Sequence, residues 1–147
     1  MADKYDGLKL ENQICFPLYA CSREIIKKYK PFLDEIGLTY TQYITMMVMW
    51  EHEKISAKDM GKLLYLDSGT LTPVLKQLEK DGYVKRKRNR SDERILEVEI
   101  TEKGRLLKED AVSIPEKMSC AIGLSEAEAV NLYIALHRFL DLLSERK

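Results

Sequence analysis

The stretch that decides the fold runs from residue 67 to residue 100, DSGTLTPVLKQLEKDGYVKRKRNRSDERILEVEI. Its first half carries Leu71, Val74, Leu75 and Leu78 at the spacing of a helix with one buried side. Asp67-Ser68 is a polar start, Gly82 is a stop, and Pro73 is read as lying in or near the first turn, where backbone N–H groups lack helical acceptors. After Gly82 the period shortens from about 3.6 to 2. Tyr83-Val84 opens one strand, and Ile95-Leu96-Glu97-Val98-Glu99-Ile100 alternates apolar and charged residues for another. Arg88-Asn89-Arg90-Ser91-Asp92 between them is a polar turn.

Working upstream, Ser56 with Asp59 three residues later opens a short helix through Met60, Leu63 and Leu64, and Tyr65-Leu66 leads into the next. A helix, a turn, a second helix and a basic hairpin in that order make the winged helix-turn-helix plan, mainly α with a small β-hairpin wing. Thr39 caps a preceding helix through Tyr43, Met46, Met47 and Trp50. From Leu8 to Tyr29 an apolar stripe predicts a first helix, and Pro31 and Gly37 bracket a break after it. Downstream, a helix runs from Thr101 to about Ser119, with Pro115 expected to break or kink it. Ser125 and Glu128 stand at capping-box spacing ahead of a last helix bearing Val130, Leu132, Tyr133, Leu136, Phe139, Leu140 and Leu143. The small central module cannot cover the apolar stripes of both end helices, so a second copy of the chain is expected to. The organisation expected is therefore a DNA-binding region over 37–100, and a helical dimerisation region formed by 1–36 and 101–147.

The chain has 147 residues, 45% of them hydrophobic and 33% charged, which fits one globular domain. No apolar run approaches the roughly 20 residues of a membrane span. Met1-Ala2-Asp3-Lys4-Tyr5-Asp6 lacks the basic-then-apolar pattern of a secretory signal, so the cytoplasm is the expected compartment and no membrane partner is expected. Three cysteines without a C-x-x-C, and two histidines, give no metal-site spacing, and no cofactor is expected. No phosphate-binding loop or serine–histidine–acid arrangement is visible, so the chain is not read as an enzyme.

Net charge is zero, yet residues 76–94 hold eight basic and four acidic residues. That stretch is +4 and the remainder −4, a cationic tip on an acidic body. A charge run alone is usually a solvated hairpin; joined to a helix-turn-helix it reads as a nucleic-acid surface. The second helix of that motif enters the major groove with its N-terminal residues on base edges. Here these are Ser68, Gly69, Thr70 and Thr72, with Lys76 and Gln77 one turn on. In the wing, Arg86, Lys87, Arg88, Arg90 and Arg94 sit in and beside a hairpin, so several can point outward together, and Arg86, Arg88, Arg90 and Arg94 are expected to contact DNA. Arg90 near the tip suits a minor groove, and Asp92 is placed to orient the Arg94 guanidinium.

Cys15 falls in the apolar stripe of the first helix, with Tyr19 one turn on. A cysteine so placed is ordinarily a small buried hydrophobe. Cys21 is six positions away, about 9 Å along a helix. A disulfide needs α-carbons within about 7 Å, so Cys15 and Cys21 cannot bridge without unwinding, which leaves Cys120 or an external thiol.

Three segments resemble the organic-hydroperoxide-sensing branch of the MarR family: Leu10-Glu11-Asn12-Gln13-Ile14-Cys15-Phe16, Leu38-Thr39-Tyr40-Thr41-Gln42-Tyr43 and Leu66-Asp67-Ser68-Gly69-Thr70-Leu71-Thr72-Pro73. The resemblance covers nearly the whole chain. It implies a homodimeric repressor of double-stranded operator DNA, with Cys15 matching the peroxidatic cysteine and an organic hydroperoxide as oxidant. It also implies that Tyr29 and Tyr40 of the other subunit bond to that sulfur, and that Asp92 and Arg94 match the wing's Asp-x-Arg. Some members of the branch complete the disulfide with a small thiol, others with a second cysteine near the C-terminal helices of the partner chain, the region where Cys120 falls. Cys21 matches no family role and is read as packing. Competing readings are a MarR-type regulator relieved by non-covalent apolar or phenolic ligands, a thiol peroxidase, and an activator or global redox regulator of the same fold.

Overall fold

Polar side chains start the helices. In the computed structural model, which describes residues 3–144, Thr39 Oγ1 accepts from the Gln42 amide at 3.2 Å, and Gln42 Oε1 accepts from the Thr39 amide at 2.8 Å. That reciprocal pair opens α2 (Tyr40–His52). Ser56 caps α3 (Ala57–Leu64) through the Asp59 amide at 3.0 Å, and Asp67 caps α4 (Ser68–Lys80) through the Thr70 amide at 2.7 Å. Thr101 caps α5 (Glu102–Ala111) through the Gly104 amide. Residues 1 and 2, at the start of the stretch read for a secretory signal, and 145–147 at the end of the expected dimerisation region, lie outside the described residues.

The first long helix, α1 (Cys15–Glu35), starts seven residues later than the apolar spacing suggests. Two single 3₁₀ turns, Asp6–Leu8 and Leu10–Asn12, precede it. There Asn12 Nδ2 donates to the Asp6 carbonyl at 2.8 Å and Gln13 Nε2 donates to the Gly7 carbonyl. Side chains that take backbone carbonyls in this way compete with helical bonding. At the other end α1 does not break at Pro31 but runs on to Glu35. It stops where Leu38 N donates to the Leu33 carbonyl and Gly37 N to the Asp34 carbonyl, with Gly37 at φ 69°. Pro73 is likewise deeper than expected: α4 begins at Ser68, so the proline sits in its second turn and the Gly69 carbonyl loses its i+4 donor.

Three antiparallel strands form the sheet in the order β1 (Lys54–Ser56), β3 (Leu96–Ile100), β2 (Val84–Arg88). The hairpin was expected and β1 was not, since three residues carry no readable alternation. In the hairpin Val84 faces Ile100, Arg86 faces Val98 and Arg88 faces Leu96. Val84, Val98 and Ile100 point into a core shared with Leu33, Leu38, Met46, Met49, Met60, Leu71, Leu75 and Leu78, all nearly solvent-free. Leu78→Ala there removes about 2–5 kcal/mol. Gly104 lets α5 lie on the sheet: a Cβ there would collide with the Tyr83 carbonyl oxygen and come within 2.8 Å of Ile100 Cγ1. Trp50 Nε1 donates to the Gly104 carbonyl at 2.9 Å and holds that approach.

The chain divides into two compact units, one up to Ile114 and one from Pro115 onward. The break near Pro115 falls at residues 112–113, and the proline stands in the first turn of α6 (Ile114–Ile122). Ser125 and Glu128 form the expected cap of α7 (Glu126–Ser144), with Glu128 Oε2 accepting from the Ser125 amide at 2.9 Å. None of the described α7 residues is fully buried, and Leu132, Tyr133, Ile134, Phe139, Leu142 and Leu143 are exposed. Among the described residues, no helix is long and apolar enough to cross a membrane.

Candidate nucleic-acid interface and thiol site

Burial of Leu71, Leu75 and Leu78 turns the opposite side of α4 outward, so Ser68, Gly69, Thr70, Lys76 and Gln77 are exposed and Thr72 is half-buried. The Asp67 cap shapes the start of that face. Its carboxyl is held below the usual carboxylate range by the Thr70 amide and hydroxyl, so it is ionised at neutral pH. A Cβ on Gly69 would stand 3.2 Å from Asp67 Oδ1, a crowded approach that the glycine avoids. Gln77 Nε2 donates to Asp81 Oδ1 at 2.9 Å.

The wing sorts its cations into two groups. Arg94 is bound at both ends of its fork by Asp92, Nε to Oδ1 at 3.0 Å and the terminal nitrogen to Oδ2 at 3.1 Å, as the spacing suggested. Its side chain nevertheless stays 91% exposed, so the pair aims the guanidinium outward. The Arg94 guanidinium in turn holds the Asp92 carboxyl below its ordinary range. Arg90 is exposed at the tip, and Arg88 makes one long contact, 3.4 Å to the Arg94 carbonyl. Arg86, named among the candidate DNA contacts, is 22% exposed and turned onto Glu79, with a 2.7 Å ion pair. Alternation explains the reversal, because Arg86 shares the sheet face of Val84.

Two organisers were not read from the sequence. Glu79 is one. Asn89 is the other: its Oδ1 accepts from the Ser91 and Asp92 amides at 2.8 and 3.1 Å, and its Nδ2 donates to Glu97 Oε1 at 2.8 Å. Glu97 also pairs with Lys54 at 3.0 Å. The tip that carries Arg90, Asp92 and Arg94 is thus tied through β3 to β1. An asparagine inside a polar turn is a known signal for such self-bonding.

All three cysteines are free and exposed. Cys15 is the first residue of α1, where unpaired backbone N–H groups favour negative charge. Tyr19 lies one turn on, with its hydroxyl accepting from Arg23 at 3.0 Å. Tyr29 and Tyr40 stand elsewhere, their rings 4.9 Å apart, with Tyr43 5.8 Å from Tyr29. Burial pushes the phenols of Tyr29, Tyr40 and Tyr43 up, and for Tyr29 and Tyr43 neighbouring phenols add to the effect. They remain O–H donors at neutral pH. Tyr29 is 14 residues beyond Cys15 on one helix, about 21 Å of rise, so the chain does not bring this tyrosine pair to its own Cys15. Cys120 lies exposed on α6.

Residues 27–111 match the family model for the transcriptional regulators SarA/Rot. The organic hydroperoxide resistance transcriptional regulator of Bacillus subtilis (strain 168) is 48% identical over 146 residues, 99% of each chain. The chain belongs to this family of winged-helix transcriptional regulators. Within it, the regulator SarZ of Staphylococcus aureus (strain USA300) is 44% identical over 132 residues, 90% of this chain and 89% of its own. Among solved structures, reduced AbfR bound to DNA is similar at 35% identity and a TM-score of 0.76, covering 96% of this chain and 99% of that one. The disulfide-formed structure of AbfR, a protein of Staphylococcus epidermidis, superimposes less closely, with a TM-score of 0.63 at 34% identity over 97% of each chain. As a member of this family the chain is a DNA-binding regulator, not an enzyme, and α4 with the β2–β3 wing corresponds to the module that defines the fold.

Proposed function

We propose that the chain is a homodimeric repressor that holds double-stranded operator DNA while Cys15 is reduced and releases it when an organic hydroperoxide oxidises that thiol. The observation that carries the reading is the state of Cys15: exposed at a helix start, in a chain 48% identical to a hydroperoxide resistance regulator over nearly its full length. The separation of about 21 Å from Tyr29 supports a site completed by the second chain, whose Tyr29 and Tyr40 donate to the sulfur. The apolar side chains exposed on α7 support a dimer that buries them. A cytoplasmic setting fits thiols kept reduced until challenged.

On the DNA side, the N-terminal turn of α4 offers Ser68, Gly69, Thr70 and Thr72, then Lys76 and Gln77, to a major groove. Arg88, Arg90 and the Asp92-aimed Arg94 serve the adjacent backbone and minor groove. Two copies related by a two-fold axis read half-sites about one helical turn apart.

In the sensing step, the Cys15 thiolate attacks the distal oxygen of the hydroperoxide. The O–O bond breaks, an alcohol leaves after taking up a proton, and sulfenic acid remains on the sulfur. A second thiol then attacks that sulfur, an S–S bond forms and water is released. Cys120 of the partner chain or a small cellular thiol supplies the second sulfur. An overoxidised AbfR has been crystallised on DNA, and its disulfide form is the one that superimposes less closely on this chain. That favours the disulfide over the oxidised sulfur alone as the event that releases DNA. A disulfide shifts a conformational balance by about 2–4 kcal/mol, enough for the roughly 2.7 kcal/mol of a 100-fold loss of affinity. Ile14, Phe16 and Leu18 beside the thiol suit an apolar peroxide.

The test is DNA release from the wild type and from Cys15→Ser on adding cumene hydroperoxide, followed by fluorescence anisotropy. The wild type should lose about 100-fold in affinity while the serine variant stays bound. Release from the serine variant would refute the sensor assignment. Non-reducing electrophoresis of the oxidised wild type and Cys120→Ser then separates the two second thiols: a linked dimer in the wild type that is lost in the variant assigns Cys120, and oxidised wild type that runs only as single chains assigns the small thiol.

A further inference from the structure

We propose that Glu79 and Arg86 form a clamp that fixes the wing's angle to the recognition helix, so that Glu79 is a positioning residue for DNA binding and Arg86 supports the wing instead of touching DNA. The inference rests on the reading of α4 and the wing as a duplex-binding surface.

Glu79 occupies the last turn of α4, and Arg86 the middle of β2. One carboxylate makes three bonds across that junction. Its Oε1 accepts from the Arg86 backbone amide at 2.9 Å, while Oε2 accepts from Nε at 2.9 Å and from a terminal guanidinium nitrogen at 2.7 Å. β2 is an edge strand, since β3 separates it from β1. The Arg86 amide is therefore turned away from β3, and Glu79 supplies the acceptor that a fourth strand would have given. These bonds hold the Glu79 carboxyl below its ordinary range, so the clamp is charged at neutral pH.

The covalent connection between α4 and β2 is short and also fixed. Gly82, at φ 83°, donates to the Glu79 carbonyl, and Tyr83 N donates to the Leu78 carbonyl. A turn at one point and a carboxylate clamp at a second leave the hairpin no free hinge against the helix. That matters because a helix in one groove and a wing tip in the next must fit the same duplex at once. The contrast with Arg94 is sharp: both arginines are paired, but Arg94 is 91% exposed and Arg86 only 22%.

Charge makes the proposal easy to break. Removing an acid from a basic DNA-binding face should by simple electrostatics raise affinity. The clamp predicts the opposite. The probe is a duplex recovered by the wild-type protein from a random-sequence pool, and affinity is measured over a range of salt for Glu79→Ala, Arg86→Ala, the double variant and Glu79→Gln. Thermal melts check that each is folded. Glu79→Ala and Arg86→Ala should each weaken binding roughly tenfold, as expected of a displaced arginine contact, and the double variant should be no worse than either. Both single variants should flatten the salt dependence by more than one phosphate contact, because the wing tip is lifted as a whole. Glu79→Gln, which keeps an acceptor for the Arg86 amide, should fall between the alanine variant and the wild type. Weaker binding by Arg86→Ala with unchanged or tighter binding by Glu79→Ala would make Arg86 a direct DNA contact and overturn the clamp, as would wild-type affinity in both. If the wild type recovers no duplex, the DNA-binding reading itself fails and takes the clamp with it.

Discussion

In the wing, three of the cations are matched within the chain, Arg86 to Glu79, Lys87 to Glu99 and Arg94 to Asp92, and Asn89 ties the tip to β3. At the start of α1, by contrast, Ile14, Cys15 and Phe16 lie exposed, and of the tyrosines that family resemblance assigns to the sulfur, Tyr29 stands far along the same helix and Tyr40 opens α2. One region finds its partners within a single chain, and the other, on the reading proposed above, is completed by a second chain. The difference teaches where regulation enters. On that reading, a thiol whose partners belong to a second chain would convert oxidation directly into a change between chains.

The comparison breaks most visibly if the second chain is removed. Replacing Phe139 and Leu132 by Glu places charges on exposed apolar positions of α7. The double variant should sediment as a monomer, keep the melting transition of the DNA-reading unit, and lose roughly 100-fold or more in affinity for a duplex with two half-sites. A dimer of unchanged affinity would mean that α7 is not the surface that joins the chains. A smaller effect sharpens the other side. Arg90→Ala, at an exposed tip with no ion pair among the described residues, should weaken DNA binding by about 1–3 kcal/mol and leave thermal stability unchanged. Equal affinity would take the wing tip out of the interface.

The smallest effect concerns pH. Asp92 is held below its ordinary range by the Arg94 guanidinium, so its contribution is in place above the usual carboxylate value of about 3.9 and is lost only as pH falls through its lowered folded value. The Asp92 carboxyl carbon, followed by NMR, should therefore titrate below about 3.9, and wing-tip order should be flat from neutral pH down to about 4. A midpoint above that value would deny the Asp92–Arg94 fork.

Much of this was legible in the residues. Thr39, Ser56, Asp67 and Ser125 start helices where polar caps precede apolar spacing, and the shift of period after Gly82 marks the wing. What escaped reading depends on partners distant in sequence or on competition between local bonds. Glu79 and Arg86 are seven residues apart across a helix-to-strand junction, which no periodicity connects. A run of cations does not say which of them point outward, and strand alternation turns Arg86 back. Asn12 and Gln13 bond back to the Asp6 and Gly7 carbonyls across two 3₁₀ turns where a helix was expected, and α1 starts at Cys15. Pro31 lies inside α1, where the rest of the helix outweighs the bond it removes.

The most direct test of a thiol site shared between chains uses mixed dimers, one chain carrying Cys15→Ser and the other Tyr29→Phe with Tyr40→Phe. Oxidation of the remaining Cys15 by a stoichiometric hydroperoxide is then timed by mass spectrometry. That thiol has its own tyrosines removed and the other chain's intact, so the account predicts the wild-type rate. A rate as slow as that of the Tyr29→Phe, Tyr40→Phe homodimer would place the tyrosines in the same chain as the thiol they serve and contradict it.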